Sequence, residues 1–255
     1  MSGWTAVVLA GSRPGVDAFA QSHGTDLKAL IPVLGEPMVR RPVMTLLASE
    51  QFTAVRVFAQ QPERIAAVLP ADPRLTVEPS GETIATTLEA LCNDPATQWP
   101  LLLTTADHAL LDQGMIDDFC GRAADADIAV AVVERAALLK RLPATRRTWI
   151  RFRGGAYSGA NLFMLRSPKV RPAIALWRSV EQDRKKGWRL LMATGPTLWL
   201  GSALRLLTID QALNRIGRKL NLTVRAAAMA NPLAAVDVDK PDDHRLVEAI
   251  LEGRV

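Results

Sequence analysis

Short apolar runs recur along the chain, separated by stretches in which apolar residues return every three or four positions. The runs Thr5–Leu9, Val55–Ala59, Leu75–Val77, Leu101–Thr105, Ile128–Val133, Trp149–Arg153, Asn161–Leu165, Val224–Ala228 and Ala235–Val238 read as strands. Helical periodicity occupies 38–49, 62–69, 81–92 and 113–124 between them. Strands that are apolar throughout, without alternation, are those buried on both faces, as in a parallel sheet covered by helices. The expected architecture is therefore α/β, a Rossmann-like three-layer fold with a mostly parallel central sheet. From about Ser167 to Leu220 the chain reads as helical and is richer in Arg, Lys and Trp. Thr208 with Gln211 three positions on has the form of a capping box, which predicts a helix over "IDQALNRIGRKL". No Gly- or Ser-rich linker divides the chain, so a single domain over 1–255 with a helical insertion at about 167–222 is expected.

Composition narrows the class. With 255 residues of which 49% are hydrophobic, the chain can fill a sizeable core. Its net charge of +5 is spread along the length and suits phosphorylated small molecules as well as other anions. One Tyr and six Phe supply no ladder of aromatic and basic residues for stacking single-stranded bases, so nucleic acid is not the expected partner. Cys92 and Cys120 form no CxxC pair and read as buried free thiols. The apolar run Ala6–Ala10 is too short for a signal peptide or a membrane span, so a cytoplasmic protein without stable membrane insertion is expected, as monomer or homodimer. His23, His108 and His244 are scattered and lack the spacing of a metal triad.

Candidate chemistry sits at strand ends. The first strand runs straight into Gly11, Ser12, Arg13 and Gly15, where the chain must turn and where backbone N–H groups and an arginine fork could meet a phosphate. The spacing is neither GxGxxG nor GxxxxGK[ST], and an ordinary turn is the plainer alternative. "LLLTTADHALL" ends a buried strand at Asp107, on the edge where open α/β sheets gather ligands, although a turn or cap aspartate is equally placed there. In "AAVDVDKPDDHRLVEAIL", Asp237 and Asp239 are two apart, so on an extended strand they share a face and could share a cation. Pro241 then opens a helix whose first turn carries Asp242 and Asp243. Ser80 and Gly81 precede the helical pattern of "ETIATTLEAL", where serine is a common cap.

"VVLAGSRPG" followed by "KALIPVLGEPMV" resembles the N-terminal signature of the MobA-like, sugar-phosphate-activating nucleotidyltransferases (the NTP transferase superfamily), whose usual form is LAAG or LAGG, G-x-R-M and K-A-L-L or K-A-L-I. Here the first motif reads "LAGS", and the stretch before Lys28 carries an insert, "VDAFAQSHGTD". The resemblance implies the nucleotide-diphospho-sugar transferase type of fold. It places Leu9, Ala10, Gly11, Ser12, Arg13 and Lys28 around a triphosphate, with Arg13, Lys28 and Asp107 as the catalytic set. It implies Mg²⁺ on Asp107 and Asp239, with Asp237 as helper, because the C-terminal segment is similar to the family's V-D-T-P-E-D-L ending; Lys240 stands where that ending has threonine. It implies a nucleobase read by Glu78, Ser80, Gly81 and Thr83. "GGAYSGANLFMLR" is similar to the family's acceptor strand, which makes Tyr157, Gly159 and Asn161 acceptor contacts, or else the segment is a plain strand turn. Arg184 and Lys185 are then a clamp on an acceptor phosphate, or else part of a solvated helix face. The implied activity is transfer of an NMP from an NTP, CTP slightly ahead of UTP or GTP, to a phosphorylated sugar, polyol or cofactor with release of pyrophosphate. A glycosyltransferase of related fold, or a nucleotide-binding regulator with little turnover, are the alternatives.

Overall fold

Successive residues of the first strand, β1 (Trp4–Leu9), enter opposite cores: Ala6 and Val8 pack in one and Val7 in the other, all without solvent exposure. That double burial is why the run is apolar throughout and why helices must cover both faces of the sheet. The computed structural model describes residues 3–11, 15, 17–182 and 206–255. Parallel ladders join β1 to β4 (Phe52–Ala59) and to β6 (Leu101–Thr105), β4 to β5 (Leu75–Pro79), and β7 (Ile128–Glu134) to β10 (Val224–Ala228). One long strand, β9 (Gly155–Leu165), runs antiparallel between β6 and β7, and short β8 (Ile150–Phe152) pairs with it. The order across the sheet is β10-β7-β9-β6-β1-β4-β5. The chain leaves β1 toward one edge through β4 and β5, then returns to β6 on the other side of β1. This reversal opens a crevice at the carboxyl ends of β1 and β6, the place where such sheets bind ligands.

Beneath one face, α4 (Ile84–Asn93) and α7 (Arg171–Gln182) pack on Phe58, Leu101, Leu103 and Leu165 through Leu88, Leu91 and Ile174. The other face carries the larger core, with Val43 and Leu46 of α2 (Arg40–Ala48), Ile116 and Phe119 of α5 (Gln113–Ala123) and Val247 of α9 (Pro241–Leu251). Helix α8 (Ile209–Leu220) has the expected Thr208/Gln211 capping box and ends at Asn221 in the left-handed conformation. Among the described residues no helix is long and apolar enough to cross a membrane.

Two local expectations are corrected. Ala235–Val238 is not a strand: Pro232–Ala235 forms a 3-10 turn, and the extended residues after it join no ladder. Their alternation has another cause, since Val236 and Val238 are fully buried while Val238 N donates to Asp107 O at 3.1 Å. The helix expected from 81 begins at Ile84, because Thr83 and Thr86 supply a capping box and Ser80 does not cap. Helix α6 (Arg135–Arg141), with only Leu138 buried, offers too narrow an apolar face to be read from periodicity.

The thiols give a direct check on packing. Both are free; burial is the main cause that raises their pKa, pushing Cys120 up to about 12 from an ordinary 9.0. Alkylation needs thiolate. Labelling of Cys120 in the native protein is therefore expected to keep accelerating with pH through 9 and beyond, whereas an ordinary thiol levels off there; a plateau near 9 would contradict the packing.

Candidate functional site

The crevice forms a cleft of about 870 Å³ whose walls are residues that directly follow strands: Ala10 and Gly11 after β1, Gln60 after β4, Ser80 and Gly81 after β5, and Ala106 and Asp107 after β6. Backbone bonds carry the strand registers past their ends. Ala10 N donates to Phe58 O at 2.8 Å, Ala106 N to Leu9 O at 3.0 Å and Ser80 N to Ala59 O at 2.8 Å. The four loops therefore leave the sheet at fixed positions.

Across the mouth, segments far apart in sequence are tied by one ammonium group. Lys28, on a 3-10 turn (Lys28–Leu30), donates from Nζ to Asp107 Oδ2 at 2.6 Å and to Asp239 Oδ1 at 2.5 Å. Burial alone would lower the pKa of Lys28, but the two carboxylates outweigh it and hold the ammonium above its ordinary range. Asp107 is fixed further by a hydrogen bond from Thr105 Oγ1 to Oδ1. Its neighbour His108 turns inward: fully buried, bonded through Nδ1 to Thr104 Oγ1 at 3.2 Å, and lowered by that burial to a pKa of about 4. It is a neutral core residue and lines no part of the cleft.

Asp237 has different partners. Arg147 Nη1 donates to Oδ1, and Asn161 Nδ2 donates to Oδ2 at 3.1 Å. Arg147 also reaches Asp243 Oδ1 at 3.3 Å, so one guanidinium holds residues on both sides of Asp239. Burial raises the pKa of Asp237; Arg147 opposes this, and the charges of Asp239 and Asp107 add to it. Asn161 reaches Asp237 because β9 is irregular there: Val130 pairs with Phe163 but Val132 with Gly159, and Asn161 sits in the bulge at φ 44°. Asparagine tolerates that left-handed backbone better than most residues.

Of the expected nucleotide contacts, Leu9, Ala10, Gly11, Lys28, Ser80, Gly81 and Thr83 line the cleft, joined by the expected metal ligands Asp107 and Asp239. Glu78 does not line it: it forms a two-pronged ion pair with Arg56, at 2.8 and 2.7 Å, and Arg56 pulls its pKa down. Tyr157, Gly159 and Asn161 lie on β9 outside the cleft wall; the Tyr157 ring packs against Phe152. Ser12, Arg13, Arg184 and Lys185 fall outside the described residues. Gln60 and Arg147 were not expected, and neither lies in a motif or spacing that would single it out. The insert before Lys28 contributes α1 (Ala18–Ser22), capped by Asp17, which accepts from Phe19 N and Ala20 N. Asp17, Ala18 and Phe19 wall the cleft, and the Phe19 and His23 rings pack against His244 at centroid distances of 6.0 and 5.0 Å.

Gly81 is a point of close approach. A Cβ there would lie 2.4 Å from Thr86 Oγ1 and 3.0 Å from Thr87 N. Gly81→Ala is expected to lower stability by about 1–3 kcal/mol through overpacking, read as a lower urea midpoint at unchanged slope. An unaltered midpoint would contradict the close contact.

Comparison with known proteins places this arrangement. The chain is similar in structure to a hypothetical transferase from Thermus thermophilus, with 29% identity and a TM-score of 0.80 over 95% of this chain and 99% of that one. It shares its fold with a 4-diphosphocytidyl-2C-methyl-D-erythritol synthase from Anaerococcus prevotii, at 8% identity and TM-score 0.61 over 98% and 96% of the two chains. It also shares the fold of a 2-C-methyl-D-erythritol 4-phosphate cytidylyltransferase from Francisella tularensis, at 10% identity and TM-score 0.58 over 96% and 98%. No curated protein sequence matches it at a significant level. The family model of the MobA-like NTP transferase domain matches residues 6–220, and the chain belongs to that family of nucleotidyltransferases.

Proposed function

We propose that the cleft binds an NTP with its triphosphate at Gly11, Ser12, Arg13 and Lys28, and that the enzyme transfers the NMP to a phosphorylated sugar, polyol or cofactor precursor. The observation that carries this reading is the meeting of Lys28, Asp107 and Asp239 at the cleft mouth, at 2.6 and 2.5 Å, from three separated parts of the chain. In the reaction an oxygen of the acceptor phosphate attacks the α-phosphorus, the bond from that phosphorus to the bridging oxygen breaks, and pyrophosphate leaves with the electron pair. No side-chain nucleophile is needed. The chain's own task is to align the attacking and leaving groups and to meet the charge that builds on the phosphates.

The donor set fits a hard divalent ion. Asp107 and Asp239 offer only oxygen ligands, directed at one point, while no cluster of three or more His, Cys, Asp or Glu side chains among the described residues could hold a metal by protein alone. Two carboxylates completed by substrate phosphates is the usual environment of Mg²⁺. When bound there, Mg²⁺ would offset charge on the α-phosphate. Asp237, engaged by Arg147 and Asn161, acts beside this pair by holding the segment that carries Asp239. Ser80, Gly81 and Thr83 line the cleft and form the base subsite, where the buried Ser80 Oγ has no partner among the described residues. CTP is the donor to try first, since two proteins of shared fold are described as making or using cytidylyl groups. We assign the acceptor side to β9, where Asn161, Gly159 and Tyr157 lie outside the nucleotide cleft and Asn161 reaches Asp237, and expect Arg184 and Lys185 to clamp the acceptor phosphate.

Pyrophosphate release, measured with each of four NTPs against a panel of phosphorylated alcohols and sugars in Mg²⁺, tests the reading. Release with one NTP and one acceptor class is expected. Silence throughout, with NTP binding still detectable, would refute it.

A further inference from the structure

We propose that Lys28 is an exchangeable cation: its ammonium bridges Asp107 and Asp239 until nucleotide arrives, then passes to the triphosphate and yields the carboxylates to the divalent ion. This rests on the nucleotidyl-transfer reading and adds an order of binding to it. The two carboxylates come from distant segments and would repel each other unless a cation stood between them. Lys28 Nζ is that cation, within 2.6 Å of Asp107 and 2.5 Å of Asp239. Mg²⁺ takes carboxylate oxygens at about 2.0–2.1 Å, which brings it into the space the ammonium fills. Two cations so close repel strongly even at an effective dielectric of about 20. The same oxygens therefore serve one cation or the other.

The exchange is feasible because of where Lys28 stands. Its side chain is 20% exposed and lines the cleft, so a triphosphate laid along Gly11 comes within reach of the flexible four-carbon stem. Two of the three ammonium protons are used on carboxylates, and phosphate oxygens accept from lysine as well as carboxylates do. The Asp107 backbone stays in place during the exchange, since Asp107 O is held by Val238 N and Oδ1 by Thr105 Oγ1. The consequence is that metal alone binds poorly and metal with nucleotide binds well, which keeps an unproductive ion out of the site.

Calorimetry with Mn²⁺ alone, and with Mn²⁺ plus an α,β-imido NTP, tests this on the wild-type chain, Lys28→Met and Lys28→Gln. Both variants should bind Mn²⁺ alone about tenfold more tightly than wild type, within the usual range of coupling between two ligands of one site, while binding the nucleotide complex more weakly. That inversion of sign is not produced by simple damage to the site. Mn²⁺ affinity no higher than wild type in the variants would overturn the proposal. Should the variants not fold, acetic anhydride labelling of wild-type Lys28, mapped by mass spectrometry, gives the same answer: saturating Mn²⁺ without nucleotide should increase it several-fold, and unchanged labelling would overturn the exchange. Asp107→Asn separates this failure from that of the parent reading, because unaltered binding of the Mn²⁺ and nucleotide complex by that variant would overturn both.

Discussion

Asp107→Ala is expected to lower Mg²⁺-dependent turnover by about a factor of 10³, the scale of losing one group aimed at charge in the transition state, while the protein stays folded. Asp107 lies at the end of β6 with one oxygen on Lys28 and the other on Thr105, and it contributes little to either core. Lys28 retains Asp239 when Asp107 is removed, so no ammonium is left without a partner. The expected stability loss is therefore no more than about 2 kcal/mol, from hydrogen bonds to charged groups. Asp239→Ala should resemble it in turnover. Asp237→Asn should not: its carboxylate is committed to Arg147 and Asn161, so stability should fall more than catalysis. Equal loss of turnover in all three variants, with equal stability, would show that Asp237 is a direct ligand.

Arg147→Met is expected to lower stability by about 3–5 kcal/mol, the cost of breaking a buried pair by removing one partner. The Arg147 and Asp243 side chains are each 9% exposed, and Asp237 is 24% exposed. Deleting the guanidinium leaves Asp237 and Asp243 without the cation they share, while Asn161 still donates to Asp237. Arg147→Lys should recover part of the loss, since a single ammonium cannot reproduce the fork that meets both Asp237 and Asp243. Chemical denaturation checks this directly. A loss below about 1 kcal/mol, the level of an exposed pair, would mean that the clamp does not hold the segment around Asp239.

How far the site could be read from the sequence follows from how local each cause is. The strand ends at Leu9 and Thr105 were legible because burial on both faces demands an apolar run, and a polar residue after such a run marks the sheet edge. The Thr208 cap was legible because a capping box is a local backbone requirement. Arg147 was not legible, because what makes it matter is a partner 90 residues away, and nothing in "ATRRTWI" distinguishes it from a solvated arginine. Glu78 looked available for a base, yet Arg56 on the neighbouring strand β4 claims it through the β4–β5 pairing. The run Ala235–Val238 was wrongly read as a strand, since burial of Val236 and Val238 does not require a ladder. The bulge that sets Asn161 at positive φ depends on the register of β9 between β6 and β7, a tertiary property that no local motif in β9 encodes.

On the proposed function, one cleft at the carboxyl ends of β1 and β6 receives the NTP phosphates against Lys28 and a cation held by Asp107 and Asp239. The most direct measurement is a crystal structure of the protein with an α,β-imido NTP and Mn²⁺, the ion located by its anomalous scattering. A single manganese peak is expected among Asp107, Asp239 and the nucleotide phosphates, with the base toward Ser80 and Gly81. A nucleotide bound elsewhere, or manganese on other residues with Asp107 and Asp239 still joined through Lys28, would contradict it.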